Sequence, residues 1–345
     1  MIWGNFMKKI YIIIISMLLI QLSIIFLGCA EHEASDKIVI DNFGEDMNNE
    51  FSVWLAYWDL DIENEIELLN EKIKNISYFE SYFDKNNKLI LNDDLMEFYE
   101  KRKNSDHKSY LTFVNDKEEY SGDILLKDTE VLNDVLGSEE ARSKHIDEIL
   151  DIAEEHEFDG VEIDYERIKD NIELWNEYIS FINELYTKAN NINKEVRIIL
   201  EPNTPLEKLQ FSEGPTYVMM CYNLYSNNTE PGEKANPEFI QECIDRMQSV
   251  PGEKSFAIAT GGIDWQDGEQ GKSINEKSAK ELLQKYKVYP IRDVESKCLR
   301  FKYVDENNNN HDVWYADKET LNSWLNVINK NGYEASIWRL GGNIF

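Results

Sequence analysis

Between Phe51 and the C-terminus, short apolar runs alternate with longer amphipathic ones, and that alternation narrows the possible folds more than any other feature. Phe51 to Trp58, Ile76 to Phe83, Tyr110 to Val114, Asp159 to Glu166, Val196 to Leu200, Tyr217 to Tyr222, Phe256 to Ala259 and Ala335 to Trp338 read as strands. Several are apolar throughout, the mark of strands covered on both faces. Ile62 to Lys74, Ser138 to His156, Ile172 to Ala189, Phe239 to Met247 and Ser278 to Tyr286 instead repeat apolar residues at helical spacing. Eight strands alternating with helices over this length predict an α/β fold, the (β/α)8 TIM barrel. Leu299 to Tyr303 and Asp312 to Ala316, joined by the Asn-rich 307–310, predict a small hairpin inserted between the seventh and eighth strands, over about 290–317.

The fourth run carries chemistry. Asp159-Gly160-Val161-Glu162-Ile163-Asp164-Tyr165-Glu166 places carboxylates at 162, 164 and 166, alternating with apolar residues. Residues two apart share a face of a strand, so the three acids point into one space. They cannot all ionise cheaply, and at least one should hold a proton near neutral pH, as a general acid must. The competing readings are an acidic edge strand and a cation-binding loop. The interleaved β-branched residues speak against the first, and the missing oxygen-ligand spacing and central Gly against the second. Barrel enzymes carry their reactive groups at the C-terminal ends of strands, which is where Glu166 falls.

The chain has 66 acidic and 36 basic residues, a net charge of −30, which disfavours nucleic acid and anionic membrane surfaces as partners. Cys221, Cys243 and Cys298 are odd in number and widely spaced, so they read as buried free thiols and not as a disulfide framework or zinc site. The five histidines form no metal-ligand pattern, and His145 and His156 read as helix decoration. No metal or cofactor is expected, and the chain is expected to act as a monomer.

The N-terminus differs in kind. Lys8 and Lys9 precede an apolar run from Ile10 to Leu27, followed by Gly28-Cys29-Ala30. That order describes an export signal over residues 1–28. Its Gly-Cys junction resembles a bacterial lipobox, although Phe26 stands where that motif usually has Leu. Cys29 would then be the lipid-modified first residue of a mature protein held on the extracytoplasmic face of the cell membrane. An uncleaved membrane anchor is the alternative. Residues 29–50 read as a polar tether, and 51–345 as the barrel.

With its strand placed, Asp159 to Glu166 resembles the Asp-Gly-x-x-x-Asp-x-Glu signature of family 18 glycoside hydrolases, the chitinase family. Met220-Cys221-Tyr222-Asn223 is similar to that family's sixth-strand Met-x-Tyr-Asp, and Trp338 to the tryptophan that floors its sugar subsite. Gly262-Ile263-Asp264-Trp265, His311-Asp312-Val313-Trp314 and Trp338-Arg339-Leu340-Gly341 resemble the spore-germination and cortex-lytic branch. The resemblance implies a retaining hydrolase of β-1,4-linked N-acetylglucosamine glycans, with peptidoglycan or spore cortex favoured over chitin. It makes Glu166 the proton donor, Asp164 the partner of the substrate's acetamido group, and Tyr222 a donor to the acetamido oxygen. Glu162, Met220, Asn223, Trp338, Tyr57 and Trp265 would line the substrate site. Two positions depart from the pattern, Glu162 for the first Asp and Asn223 for the last. The aromatics Tyr57, Trp58, Tyr225 and Trp265 could equally be rim packing. Glu80, Asn115 and Glu201 end strands from which sugar hydroxyls could be bound. The rival to an enzyme is a catalytically silent glycan-binding lectin on the same barrel.

Overall fold

The structure is a computed structural model that describes residues 50–345. The expected signal, Cys29 and nearly all of the tether lie outside the described residues. The chain runs β1 (Phe51–Ala56), α1 (Glu63–Leu69), β2 (Ile73–Phe83), α2 (Asp93–Glu100), β3 (Lys108–Glu118), α3 (Thr129–Leu136), α4 (Glu139–Glu155) and β4 (Gly160–Asp164). It continues with α5 (Ile172–Asn191), β5 (Glu195–Leu200), β6 (Thr216–Met220), α6 (Pro237–Arg246), β7 (Lys254–Ala259), α7 (Glu276–Tyr286), α8 (Lys318–Lys330) and β8 (Glu334–Trp338).

The eight strands pair in parallel around a closed ring. Val53 registers with Ile76 and with Ile337, Tyr78 with Leu111, and Thr112 with Glu162. Glu162 registers with Arg197, Ile198 with Tyr217, Met219 with Phe256, and Ile258 with Ile337. All eight expected strands are present, and the barrel is a (β/α)8 TIM barrel. Between β5 and β6 a 3-10 turn at Leu206–Lys208 stands in place of a helix. Side-chain caps start most helices: Ser138 accepts from the Ala141 N–H, Asn171 from Leu174, and Asn236 from Phe239.

The insertion is larger than the hairpin expected over 290–317. Gly261–Gln266, Lys272–Ile274, Ile291–Arg292, Leu299–Val304 and Asn310–Ala316 form a five-stranded antiparallel sheet. The expected hairpin is its pair Leu299–Val304 and Asn310–Ala316. Helix α7, foreseen as a barrel helix, belongs to this insertion, where Ala279 packs with Phe301, Tyr303, Val313 and Tyr315. Gly261–Gln266 eluded the pattern because it follows β7 after a single residue and reads as its continuation.

A buried polar layer crosses the barrel. Arg197 Nε donates to Glu162 at 2.8 Å, and its Nη2 reaches Ser336 Oγ at 3.2 Å. The apolar core lies outside the ring, between strands and helices. His145 belongs to that core and does not decorate a surface. It is 3% exposed and bonds Tyr165 Oη at 2.6 Å. The chain end folds back on the start: Arg339 pairs with Asp59 at 2.9 Å, and Glu65 accepts from the Gly341 and Asn343 N–H groups at 3.0 Å each.

Candidate active site

The C-terminal ends of β2, β3, β4, β6 and β8 converge on one acidic chamber. Strand alternation turns Glu162 and Asp164 inward from β4, and Glu166 follows two residues past its end. Asn115, fully buried at the end of β3, fixes Glu166 by its backbone. The Glu166 N–H donates to Asn115 Oδ1 at 2.9 Å, and Asn115 Nδ2 donates to the Glu166 carbonyl at 3.1 Å. Asn115 Nδ2 also donates to the Asp128 carbonyl at 3.1 Å. Both ends of the Asn115 amide are therefore engaged with backbone, and it is a clamp, not a sugar ligand.

The same loop delivers a residue that pattern reading missed. Lys127 has a left-handed backbone (φ 58°), and its N–H donates to Asp116 Oδ1 at 2.8 Å. Its ammonium lies 2.9 Å from Glu166 Oε1, 3.5 Å from Asp164 Oδ2 and 3.8 Å from Asp116 Oδ1. One cation thus faces three carboxylates. Burial pushes the Asp164 carboxyl well above the usual range, with Lys127 pulling the other way and the neighbouring acids adding to the rise. Glu80 at the end of β2 is pushed up to about 8, by burial first and then by Asp116. Asp164 Oδ1 and Glu80 Oε2 are buried without a hydrogen-bond partner among the described residues.

Glu162 sits beneath this chamber. It is completely buried, and its carboxylate is held by Arg197, Thr112 (2.8 Å), Ser77 (3.1 Å) and the Trp54 indole N–H. Contact with a ligand would require one of these bonds to break, so the structure does not place Glu162 in the binding surface. Met220 and Tyr222 pack with Trp54, Phe79 and Trp338 in one cluster at the barrel mouth. Burial, then the charges of Asp164 and Glu166, hold the Tyr222 phenol protonated. Trp338 meets Phe79 and Trp54 edge to face at 4.7 and 5.9 Å and is half-buried. Tyr57 lies on the Glu80 side of the chamber, where burial first and then that carboxyl raise its phenol.

Two expected site residues stand further out. Asn223 is exposed with φ 66°, a left-handed conformation that Asn tolerates better than most residues. Trp265 is on the inserted sheet, 5% exposed, and lines a groove of about 680 Å³ with Thr229, His311 and Asp312. Glu201 accepts from the Arg167 N–H at 2.8 Å, which orients the residue after Glu166.

A closed parallel barrel with carboxylates at the mouth of its fourth strand is the architecture of the chitinase-like, family 18 glycosidases. No family model matches the chain. Its relatives include glycosylases and cortical fragment-lytic enzymes of Bacillus species. It is 22% identical over 216 residues to the uncharacterized glycosylase YvbX of Bacillus subtilis (strain 168), covering 59% of this chain and 62% of that one. It is 23% identical over 230 residues to the putative sporulation-specific glycosylase YdhD of the same organism, covering 61% of this chain and 54% of the other. The chain thus spans less than two thirds of the length of these relatives. Among solved structures, the Bacillus cereus spore cortex-lytic enzyme SleL superposes with a TM-score of 0.72 at 18% identity, over 85% of this chain and 72% of that one. A chitinase from Chromobacterium violaceum ATCC 12472 gives 0.71 at 17% identity, over 85% and 95%.

Proposed function

We propose that the protein is a retaining glycoside hydrolase that cleaves β-1,4 bonds of N-acetylglucosamine-containing glycans, with the substrate's acetamido group as nucleophile. The observation that carries this is Asp164: a buried carboxyl with one oxygen unpartnered among the described residues, sharing Lys127 with Glu166 and near enough for its charge to act on the Tyr222 phenol. A polar atom left open in a buried place is costly unless a ligand completes it. An acetamido N–H is a suitable partner.

In the reaction Glu166 gives its proton to the glycosidic oxygen as the bond from that oxygen to the anomeric carbon breaks. The acetamido oxygen bonds to the anomeric carbon from the opposite face, giving an oxazolinium ion. Asp164 holds the acetamido nitrogen and balances the positive charge, and Tyr222 donates to the acetamido oxygen. Water then bonds to the anomeric carbon as the acetamido oxygen leaves it, restoring the acetamido group, and gives a proton to Glu166; the two inversions retain configuration. The lipobox-like Gly28-Cys29 supports an enzyme anchored by lipid outside the cell membrane. That placement favours peptidoglycan or cortex over chitin.

The test is a digest of cortex muropeptides, peptidoglycan and chito-oligosaccharides, read by mass spectrometry. Product is expected from the native chain and none from Glu166→Gln, with sugar binding kept. Binding without product from the native chain would establish the lectin instead. Cys29→Ala should leave the precursor unprocessed or release the protein from membranes, and full processing with membrane retention would overturn the anchor.

A further inference from the structure

Among the described residues, Lys234 is a cation without an anion. It closes the excursion between β6 and α6, where the Leu224 and Tyr225 N–H groups bond the carbonyls of Lys234 and Glu233 at 2.9 and 3.2 Å. Its ammonium donates to the Thr260 carbonyl at 3.0 Å, and among the described residues it forms no ion pair. The charged side chain with the largest influence on it is a second cation, Arg339. Arg339 is itself matched by Asp59, whereas Lys234 has no such partner. In a chain with 66 acidic and 36 basic residues, this is the reverse of what composition predicts. The position is partly buried, which makes a lone charge costly, and the single carbonyl bond does not offset it.

Lys234 also lines a cavity of about 380 Å³ between the barrel and the inserted sheet. Trp58, Thr260, Ser273, Trp338 and Arg339 share that lining. Two indoles, hydroxyls and an unmatched ammonium are the chemistry that receives a sugar with a negative substituent. The aromatic surfaces suit a pyranose face, and the ammonium suits one carboxylate.

We propose that this cavity is a subsite for a carboxylate-bearing amino sugar, with Lys234 pairing the carboxylate of a lactyl ether on the ring. The inference rests on the glycan-hydrolase reading above and specifies its substrate: an acidic wall glycan in preference to neutral chitin. Lys234 selects among glycans and takes no part in bond cleavage.

The experiment uses the full-length chain in detergent, in the Glu166→Gln background, so that binding is measured without turnover. Its probes are N-acetylglucosaminyl-N-acetylmuramic acid with a free lactyl carboxylate, the methyl ester of the same disaccharide, and N,N′-diacetylchitobiose. The free acid should bind about tenfold to a hundredfold more tightly than its ester, the worth of one charge-assisted hydrogen bond. Lys234→Met should erase that difference while leaving affinity for ester and chitobiose unchanged. Lys234→Arg should keep part of it. Equal binding of acid and ester by the parent chain, or equal losses for all three probes in Lys234→Met, would overturn the subsite. Hydrolysis by the chain with native Glu166 is scored separately, so failure of the enzyme reading remains distinguishable.

Discussion

The ammonium of Lys127 lies 2.9 Å from Glu166 Oε1, so the proposed proton donor is ion-paired when the site holds no ligand. On the proposed mechanism, glycan entry loosens that pair before Glu166 protonates a leaving oxygen. Lys127 also draws down an Asp164 carboxyl that burial holds high. Removing the cation leaves burial unopposed, so Asp164 keeps its proton to higher pH. If Asp164 works as an anion, Lys127→Met should move the acid limb of kcat/KM to higher pH, by about one unit or more for a loss of ~1.4 kcal/mol or more of attraction. An unchanged limb would show that Lys127 is only a surface counter-ion.

Asn115→Ala removes two backbone bonds from Glu166 and one from Asp128. The side chain of Glu166 stays, but its anchor goes. We expect kcat to fall about tenfold or more, for reacting groups misplaced by fractions of an ångström. Stability should fall by about 1–3 kcal/mol, from buried groups left unpaired. Kinetics and urea unfolding read the two effects apart.

Glu80 sets a stability window. Burial first, and then Asp116, push its folded carboxyl up to about 8 from an ordinary value of 4.5. Between those values the folded protein binds a proton that the unfolded chain has released. Stability is therefore full below the unfolded value and declines as pH rises through the folded one, by at most about 1.4 kcal/mol per pH unit from this group. In Glu80→Gln that share of the slope should vanish; an identical slope in chemical denaturation would contradict the assignment.

Arg197→Met strands the Glu162 carboxylate, which is 0% exposed, without its cation. Loss of one partner of a buried pair costs about 3–5 kcal/mol. Double replacement of Glu162 and Arg197 by apolar residues should recover much of that loss, measured by thermal unfolding.

The parts of this molecule legible in sequence are those governed by local periodicity. The eight strands carry their burial in their own composition. The spacing of Glu162, Asp164 and Glu166 by twos brought them to one face, as seen. Properties that depend on partners from other strands were not legible. Nothing near Glu162 announces that Arg197 saturates it from β5, which turns an expected ligand contact into a barrel-centre brace. Lys127 hides in a loop whose left-handed backbone aims it at the acids. Helices α2 and α3, eight residues each, are too short for period to separate them from loop. The inserted sheet was read as one hairpin because its remaining strands are short or abut β7.

Ring closure joins the two most distant strands of the barrel, β1 and β8, and Arg339 reaches back to Asp59 across the seam. Loop-closure entropy makes such a contact slow to form relative to neighbouring strands. Trp338 rides on β8, the last of the eight strands in chain order, so the acids of β4 precede in sequence the indole that packs with Trp54 and Phe79. Until β8 pairs with β1 the ring is open, and the acids of β4 lack the indole that packs at the barrel mouth.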